Sequence, residues 1–458
     1  MRKIYKYLMV IVLACTSLVS NAQNDGVGFT LMPQIPYANY YNPGIRMTNN
    51  GLVGVAFSNI NISMFNSSMK YSNLFGNDKT AIDAVKFVES LDDDNNINMN
   101  FSMDLVNVGF KVKDFYFSLD WRMRMTSTMN YSKDFIGFFV YGNGHYLGRD
   151  NPCDFSLGLD AALYSEFGVG VQYAVNEKLT VGIRPKLLNG IANVVVDNKD
   201  TKIYTDAESY VVSADVDLNI KVASMFKSDV RKIGDITNVF DSNKGGNMYD
   251  FGENIGFGVD LGASYTINEH IGVAAGIYDL GYIKWRDAKV KSNKKTDVEL
   301  NGTLFEDYHD LTNFELDYKS MLNDVVDAVW GNDSLEVGAD YKTYLKSRFM
   351  AQGYYELNPM VRFSAIGQLY FVNGSVKPAL TLAYSGMFWN HLNVTVNGTL
   401  SKYTGSSIGA GLGFHAGPFN IYAVTDNLLC IFKVGSPALE MASSYRSANI
   451  RMGIVFAW

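Results

Sequence analysis

The sequence predicts an all-β chain, folded as a transmembrane antiparallel β-barrel of about 14 strands, and three observations carry that prediction. Apolar residues recur with a period of two along most of the chain. The first residues have the make-up of a secretory leader, and the last ones form an alternating run that stops on Trp458. After the leader, no apolar run approaches the roughly 18–20 residues that a membrane helix needs, so a helical membrane protein is excluded.

At the N-terminus, Arg2, Lys3 and Lys6 precede an apolar run from Tyr7 to about Val19, and Ser20-Asn21-Ala22 stands before Gln23. Residues 1–22 therefore read as a signal peptide. Val12-Leu13-Ala14-Cys15 is an alternative lipoprotein box, but Leu13 is bulky next to the small residue and the apolar run continues past Cys15. Cleavage after Ala22 removes three positive charges and no negative one, taking the formal net charge from −7 to −10. A balance this acidic disfavours nucleic acid as a partner. Residues 23–50 read as a periplasmic, plug-like segment and 51–458 as the barrel, because no linker or low-complexity tract divides the rest. Cys153 and Cys430 are too few for a disulfide framework.

Each strand is justified by its alternation. Phe155, Leu157, Leu159, Ala161 and Leu163, then Phe167, Val169, Val171 and Tyr173, keep one face apolar, with Asp160, Glu166 and Gln172 between them. Phe115 to Met125 alternate with Ser118, Asp120, Arg122 and Arg124, and the pattern returns in 212–222, 361–371 and 392–400. Runs of 10–20 residues are long for a soluble sandwich, while a membrane-crossing strand needs roughly 9–11. The runs 51–64 through 446–458 give 14 crossings; counting Val212 to Val222 as another, with an unrecognised return near 191–206, makes 16. One turn pattern occurs three times, at Tyr173 to Leu179, Tyr265 to Ile271 and Tyr355 to Val361, each with an Asn suited to a tight turn. These read as short periplasmic turns, which puts the long connections near 65–96, 127–153, 223–253 and 286–344 outside. Thr80 to Leu91 and Phe314 to Trp330 carry helical spacing and read as short helices packed on loop tops or closing the mouth. Ile454, Phe456 and Trp458 on the last strand resemble the signal read by the barrel assembly machinery.

The inward positions supply the candidate site. With Lys113-Asp114 as a two-residue turn, the apolar parity switches between Leu105 and Val106, which predicts a β-bulge. That bulge sets Asp104 across from Arg122 and close to Arg124, an ion pair bracing the wall or one rung of a substrate path. Asp120, Asp160, Arg184, Lys186, Asp215, Asp217, Arg362 and Gln368 are further lumen-facing candidates, and their mixed sign argues against a strongly ion-selective pore. Gly405-Ser406-Ser407-Ile408-Gly409 has the spacing of a nucleophile elbow, but that device needs a strand-to-helix turn and here it falls between two strands. The five histidines are scattered, and Asp92-Asp93-Asp94 reads as a solvated acidic loop. No catalysis, metal or cofactor is predicted.

Asn42-Pro43-Gly44, ahead of the first strand, resembles the Asn-Pro-Ala segment of FadL-type long-chain fatty-acid transporters, with Gly44 in place of Ala. Asp260 to Tyr265, Asp279 to Trp285 and Thr425-Asp426-Asn427-Leu428 are similar to a family of Bacteroidetes outer-membrane barrels of unknown function. The resemblance implies an outer-membrane location among lipids and a porin-like channel taking up a hydrophobic or amphipathic small molecule such as a fatty acid. The alternative is a structural or partner-binding barrel whose loops are the working surface, as an accessory of secretion or surface display.

Overall fold

The computed structural model describes residues 42–56, 58–68, 84–198, 200–225, 252–286, 289–300, 336–338, 340–372, 375–401, 407–428 and 447–458. The signal peptide, most of the plug segment, Cys430, His309, the predicted helix at 314–330 and most of the 223–253 connection lie outside them.

Fourteen antiparallel strands close into one barrel. They are β1 (Gly51–Val55 continued by Ile60–Asn66), β2 (Asp94–Val112), β3 (Phe115–Ser132), β4 (Leu157–Ala174), β5 (Leu179–Asn198), β6 (Ile255–Thr266) and β7 (Ile271–Trp285). β8 (Arg348–Asn358), β9 (Val361–Val372), β10 (Ser375–Phe388), β11 (Leu392–Ser401), β12 (Ser407–Ala416), β13 (Phe419–Thr425) and β14 (Ser447–Ala457) complete it. Each strand pairs with its neighbours in sequence, and β14 closes on β1 through Leu52 opposite Ala457 and Ile60 opposite Met452. Among the described residues the wall closes on itself without a free sheet edge, as strands in lipid require.

The burial pattern is that of a soluble protein turned inside out. Along β10 and β11, Leu382 and Leu400 are 59% and 62% exposed, whereas Thr381 and Thr399 between them are 0% and 1% exposed and share a hydrogen bond of 2.8 Å. The same parity holds on β7, where Ile271, Val273 and Ile277 face out and Ala274 and Tyr278 face in. Aromatic side chains crowd the outer face near the short turns, with Phe115 stacked on Tyr173 at 4.7 Å and Phe110 on Phe117 at 5.5 Å between ring centroids. Such a girdle marks the boundary of an apolar band.

The repeated Asn motif builds the turns at this end. Asn176 and Asn268 each accept two backbone N–H bonds through Oδ1, from Lys178 and Leu179 and from His270 and Ile271; Asn358 accepts one from Met360. The other end is tall and uneven. β2 to β5 run for 18–20 residues, against 7–14 in β9 to β14. At about 3.3 Å per residue, the longer strands continue well above an apolar band about 25 Å high.

Three expectations are corrected here. Val212–Ser224 is no crossing: it pairs with the upper part of β5, from Ala192 to Asp197, and with Lys202–Thr205 and Lys289–Leu300, in an outer sheet above the wall. The 16-strand alternative falls with it, because β5 is one continuous strand of 20 residues. Asp215 and Asp217 accordingly sit on that outer sheet, Asp215 accepting from the Tyr204 hydroxyl at 3.1 Å, and face no lumen. The stretches read as the long connections 127–153 and 286–344 contain ladder strands and a helix, α2, defined below.

The outer sheet has its own core. α1 (Ala84–Glu89) packs on α2 (Lys133–Tyr141) through Ala84, Val88 and Val140, so the helical signal at 80–91 belongs to a helix lying on another helix. α2 is capped by Ser132, whose hydroxyl accepts from the Phe135 N–H. Phe138, Cys153 and Phe155 then meet the apolar face of Val212–Ser224. Burial and the nearby Asp134 carboxyl hold the Cys153 thiol well above its ordinary pKa, which fits a packing role.

Candidate functional site

The lumen is filled in layers. Nearest the short turns lies the N-terminal segment, inside the wall. Asn42 and Pro43 open a turn closed by the Ile45 N–H on the Asn42 carbonyl at 2.9 Å, and proline pre-sets such a turn at its second position. The Asn42 side chain donates to the Ala275 carbonyl at 3.1 Å, and Ser264 donates to the Gly44 carbonyl at 2.7 Å. On the other side, Gln172 donates to the Pro43 carbonyl and receives the Met47 N–H, while Arg46 reaches the Thr180 hydroxyl and the Glu177 carbonyl.

Glycine makes this close approach feasible. A side chain on Gly44 would strike the backbone of Gly262 and Ala263, one on Gly262 would strike Asn42, and one on Gly182 would strike the Pro43 carbonyl. Contact with the wall thus requires glycine at position 44.

Above this floor, charged side chains from six consecutive strands, β2 to β7, meet in one network. The β2–β3 ladder sets Asp104 opposite Arg122, with the register shift at Asp104/Val106, where parity predicts the bulge. Arg122 Nε is 2.8 Å from Asp104 Oδ1, and Arg124 bridges Glu166 on β4 and Asp279 on β7, both at 2.8 Å. Arg184 on β5 grips Asp120, is 2.7 Å from Glu166 and reaches Asp260 on β6 at 2.8 Å. Lys186 lies 2.6 Å from both Asp260 and Asp279.

Strands β3 and β7 are four spacings apart along the wall, about 19 Å at about 4.8 Å each. The direct Arg124–Asp279 contact therefore means that charged arms fill the space within this half of the barrel. Desolvating so many charges is tolerable only where each is paired and hydrogen-bonded. Glu166 meets that condition at the centre, within 4 Å of four cations.

Above the network lies a small chamber of about 100 Å³, bordered by Asp160, Tyr164, Tyr278, Lys346, Arg348 and Arg451 among others. Six sequence-chosen residues, Asp104, Asp120, Arg122, Arg124, Arg184 and Lys186, meet in the network, and Asp160 lies on the chamber wall. Gln368 is buried on the inner face of β9. Arg362 stands apart near the short turns, paired with Glu356 and 4.3 Å from the Tyr354 ring centroid. Among the described residues, no group of His, Cys, Asp and Glu has metal-binding geometry.

A family model described as a family of unknown function, DUF5723, matches residues 43–426. The chain belongs to the DUF5723 family. No curated protein matches the sequence. Among solved structures, a Pseudomonas aeruginosa FadL homologue is similar over 96% of this chain and 98% of its own, with 10% identity and a TM-score of 0.44. The Ralstonia pickettii toluene transporter TbuX overlaps 92% of this chain and 93% of its own, with 10% identity and a TM-score of 0.43. A mutant of the monoaromatic hydrocarbon channel TodX overlaps 92% and 93%, with 7% identity and a TM-score of 0.44.

In this DUF5723 member, sequence reasoning missed Glu166, Asp260 and Asp279 as network carboxylates. A signal for two of them exists: Asp-Leu-Gly occurs at 260–262 and again at 279–281, on adjacent strands. In both, Leu faces out at 40% and 52% exposed and the Asp turns inward. Asp279 does so from a positive φ of 55°, at a place where Leu345 to Ser347 interrupt the neighbouring ladder. Lys346, Arg348 and Arg451 were also missed, although Arg451 occupies an inward position of the last strand.

Proposed function

We propose that this chain is an outer-membrane channel that passes a hydrophobic or amphipathic small molecule through its lumen. Residues 1–22 are its leader, the short turns face the periplasm, and Ile454, Phe456 and Trp458 form the strand engaged during assembly. The observation that carries the reading is how the lumen is filled. A barrel that serves only as a wall has no need of an inserted segment, yet here Asn42 to Met47 form a separate floor, joined to the wall by polar contacts across a glycine cradle. A plug of this kind is removable without unpairing a single strand.

The test is conductance of the purified protein in planar bilayers, with and without a long-chain fatty acid. Currents that change with the amphiphile are expected. A tight barrel, silent under both conditions, sinks the transport reading. A second reading is then favoured by the outer sheet and α1–α2 layer, which rise above the wall with a core of their own and form a platform for a protein partner.

A further inference from the structure

The rim of short turns has two unlike halves. The β2–β3, β4–β5 and β6–β7 turns carry Lys113 and Asp114, Glu177 and Lys178, and Glu269 and His270 at their tips. The β8–β9, β10–β11 and β12–β13 turns carry Pro359 and Met360, Trp389 and Asn390, and Gly417 and Pro418, with no ionisable side chain among these six. The repeated Asn motif makes the contrast internal. In its three copies an exposed apolar residue, Val175, Ile267 or Leu357, precedes the Asn, whose Oδ1 accepts the N–H two residues on. The pair after the Asn is Glu-Lys, then Glu-His, then Pro-Met. The turn is kept and only the chemistry of its tip changes.

Trp389 stands furthest out on the uncharged half, at 80% exposed. It and Asn390 have φ of 52° and 58°, the pair of positive values that a two-residue hairpin turn demands. Glycine, Asn and Asp are favoured in such a turn, and a bulky first residue is rare. An indole kept there against the backbone preference offers an apolar body with one N–H donor, the combination enriched at membrane–water boundaries. Its ring centroid lies 6.2 Å from that of Phe388, so it extends the outer aromatic row to the very end of the wall.

Strand length fixes where these tips lie. β11 and β12 have 10 residues each. At about 3.3 Å per residue and a tilt of about 40°, ten residues rise about 25 Å, the height of the apolar band itself. This half of the wall has no length left to hold its turns clear of the membrane. β2 to β5, with 18–20 residues, are under no such limit.

We propose that the β8–β13 half of the rim is a lipid-binding surface, seated in the head-group layer of the leaflet it faces. Leu357, Met360 and Trp389 reach the first acyl carbons there, and the barrel stands tilted with the charged half of the rim in water. The proposal rests on the reading of the wall as membrane-spanning. It is tested on the full-length protein folded into dioleoylphosphatidylcholine vesicles, with Cys430→Ala as background and Cys153 left buried. A nitroxide is placed on Met360→Cys, Glu269→Cys or Leu382→Cys and read by its collisions with oxygen, which concentrates in lipid, and with a nickel chelate, which stays in water. The oxygen-to-nickel ratio at position 360 is expected to exceed that at 269 several-fold and to approach that at 382. Trp389→Gly, which relieves the turn, should at least halve the difference between 360 and 269, and Trp389→Tyr should keep it. Equal ratios at 360 and 269 overturn the proposal and leave the uncharged tips to a water-soluble partner. An unchanged difference in Trp389→Gly overturns the part assigned to Trp389. Free access of nickel to position 382 brings down the membrane reading itself, an outcome distinct from a level rim.

Discussion

Arg184 shows what one residue contributes. Its guanidinium contacts Asp120, Glu166 and Asp260, all buried. Removing it leaves three carboxylates without their shared cation, a change that costs about 3–5 kcal/mol when a buried pair is broken. Arg184→Met is therefore expected to lower markedly the temperature at which the folded band disappears on a gel, and Arg184→Lys to recover part of the loss, since an ammonium lacks the guanidinium fork. A parent-like temperature for Arg184→Met would show that the network is not structural. The Asp104–Arg122 pair was legible because a two-residue turn and one parity switch fix the register between adjacent strands. Asp260 and Asp279 were not, because which distant strands curl toward one another is set by closure of the barrel, which no local pattern encodes.

At the scale of the element, alternation tells two faces apart but not which medium each one meets. The closed ladder and the exposed apolar parity decide that. Leu382 lies on the outer face near the middle of β10, so Leu382→Arg is expected to cost about 2–4 kcal/mol of folding stability in bilayers. Thr381→Val, one residue along on the inner face, loses only a hydroxyl pair with Thr399. Equal effects at the two positions, measured by denaturant titration in vesicles, would remove the outer face from lipid. The same limit explains Val212–Ser224. Its even positions from Val212 to Val222 join a core with Phe138 of α2, Cys153 and Phe155, while its odd ones from Ser213 to Lys221 are polar, so it carries a barrel strand's pattern in a sheet above the barrel. α2 escaped notice because its Phe-Ile-Gly-Phe-Phe-Val run is short and apolar nearly all round, with no helical stripe to find.

At the scale of the molecule, the fold was legible nearly throughout, since period-two runs and the turn motif place all 14 strands. The stacking of floor, network and chamber was not, because the floor rests on contacts more than a hundred positions apart and the network joins strands that no local pattern brings together. Floor and wall can be separated by experiment. A leucine at 262 enters the space of the Asn42 side chain without altering the ladder that pairs Gly262 with Gly182 and Gly276. Gly262→Leu is expected to raise single-channel conductance in planar bilayers several-fold while the folded band on a gel persists. Conductance equal to the parent's would mean that the floor does not obstruct the path.

The seam between β1 and β14 leaves the floor out of the wall's own accounts. Gly51 and Trp458 exchange backbone hydrogen bonds in both directions at 3.0 Å. The floor stands a few residues before that seam and is anchored on β4 to β7 by contacts that belong to no ladder. The ring therefore stays closed whether the floor is seated or not: the cork can leave the bottle without the glass being broken.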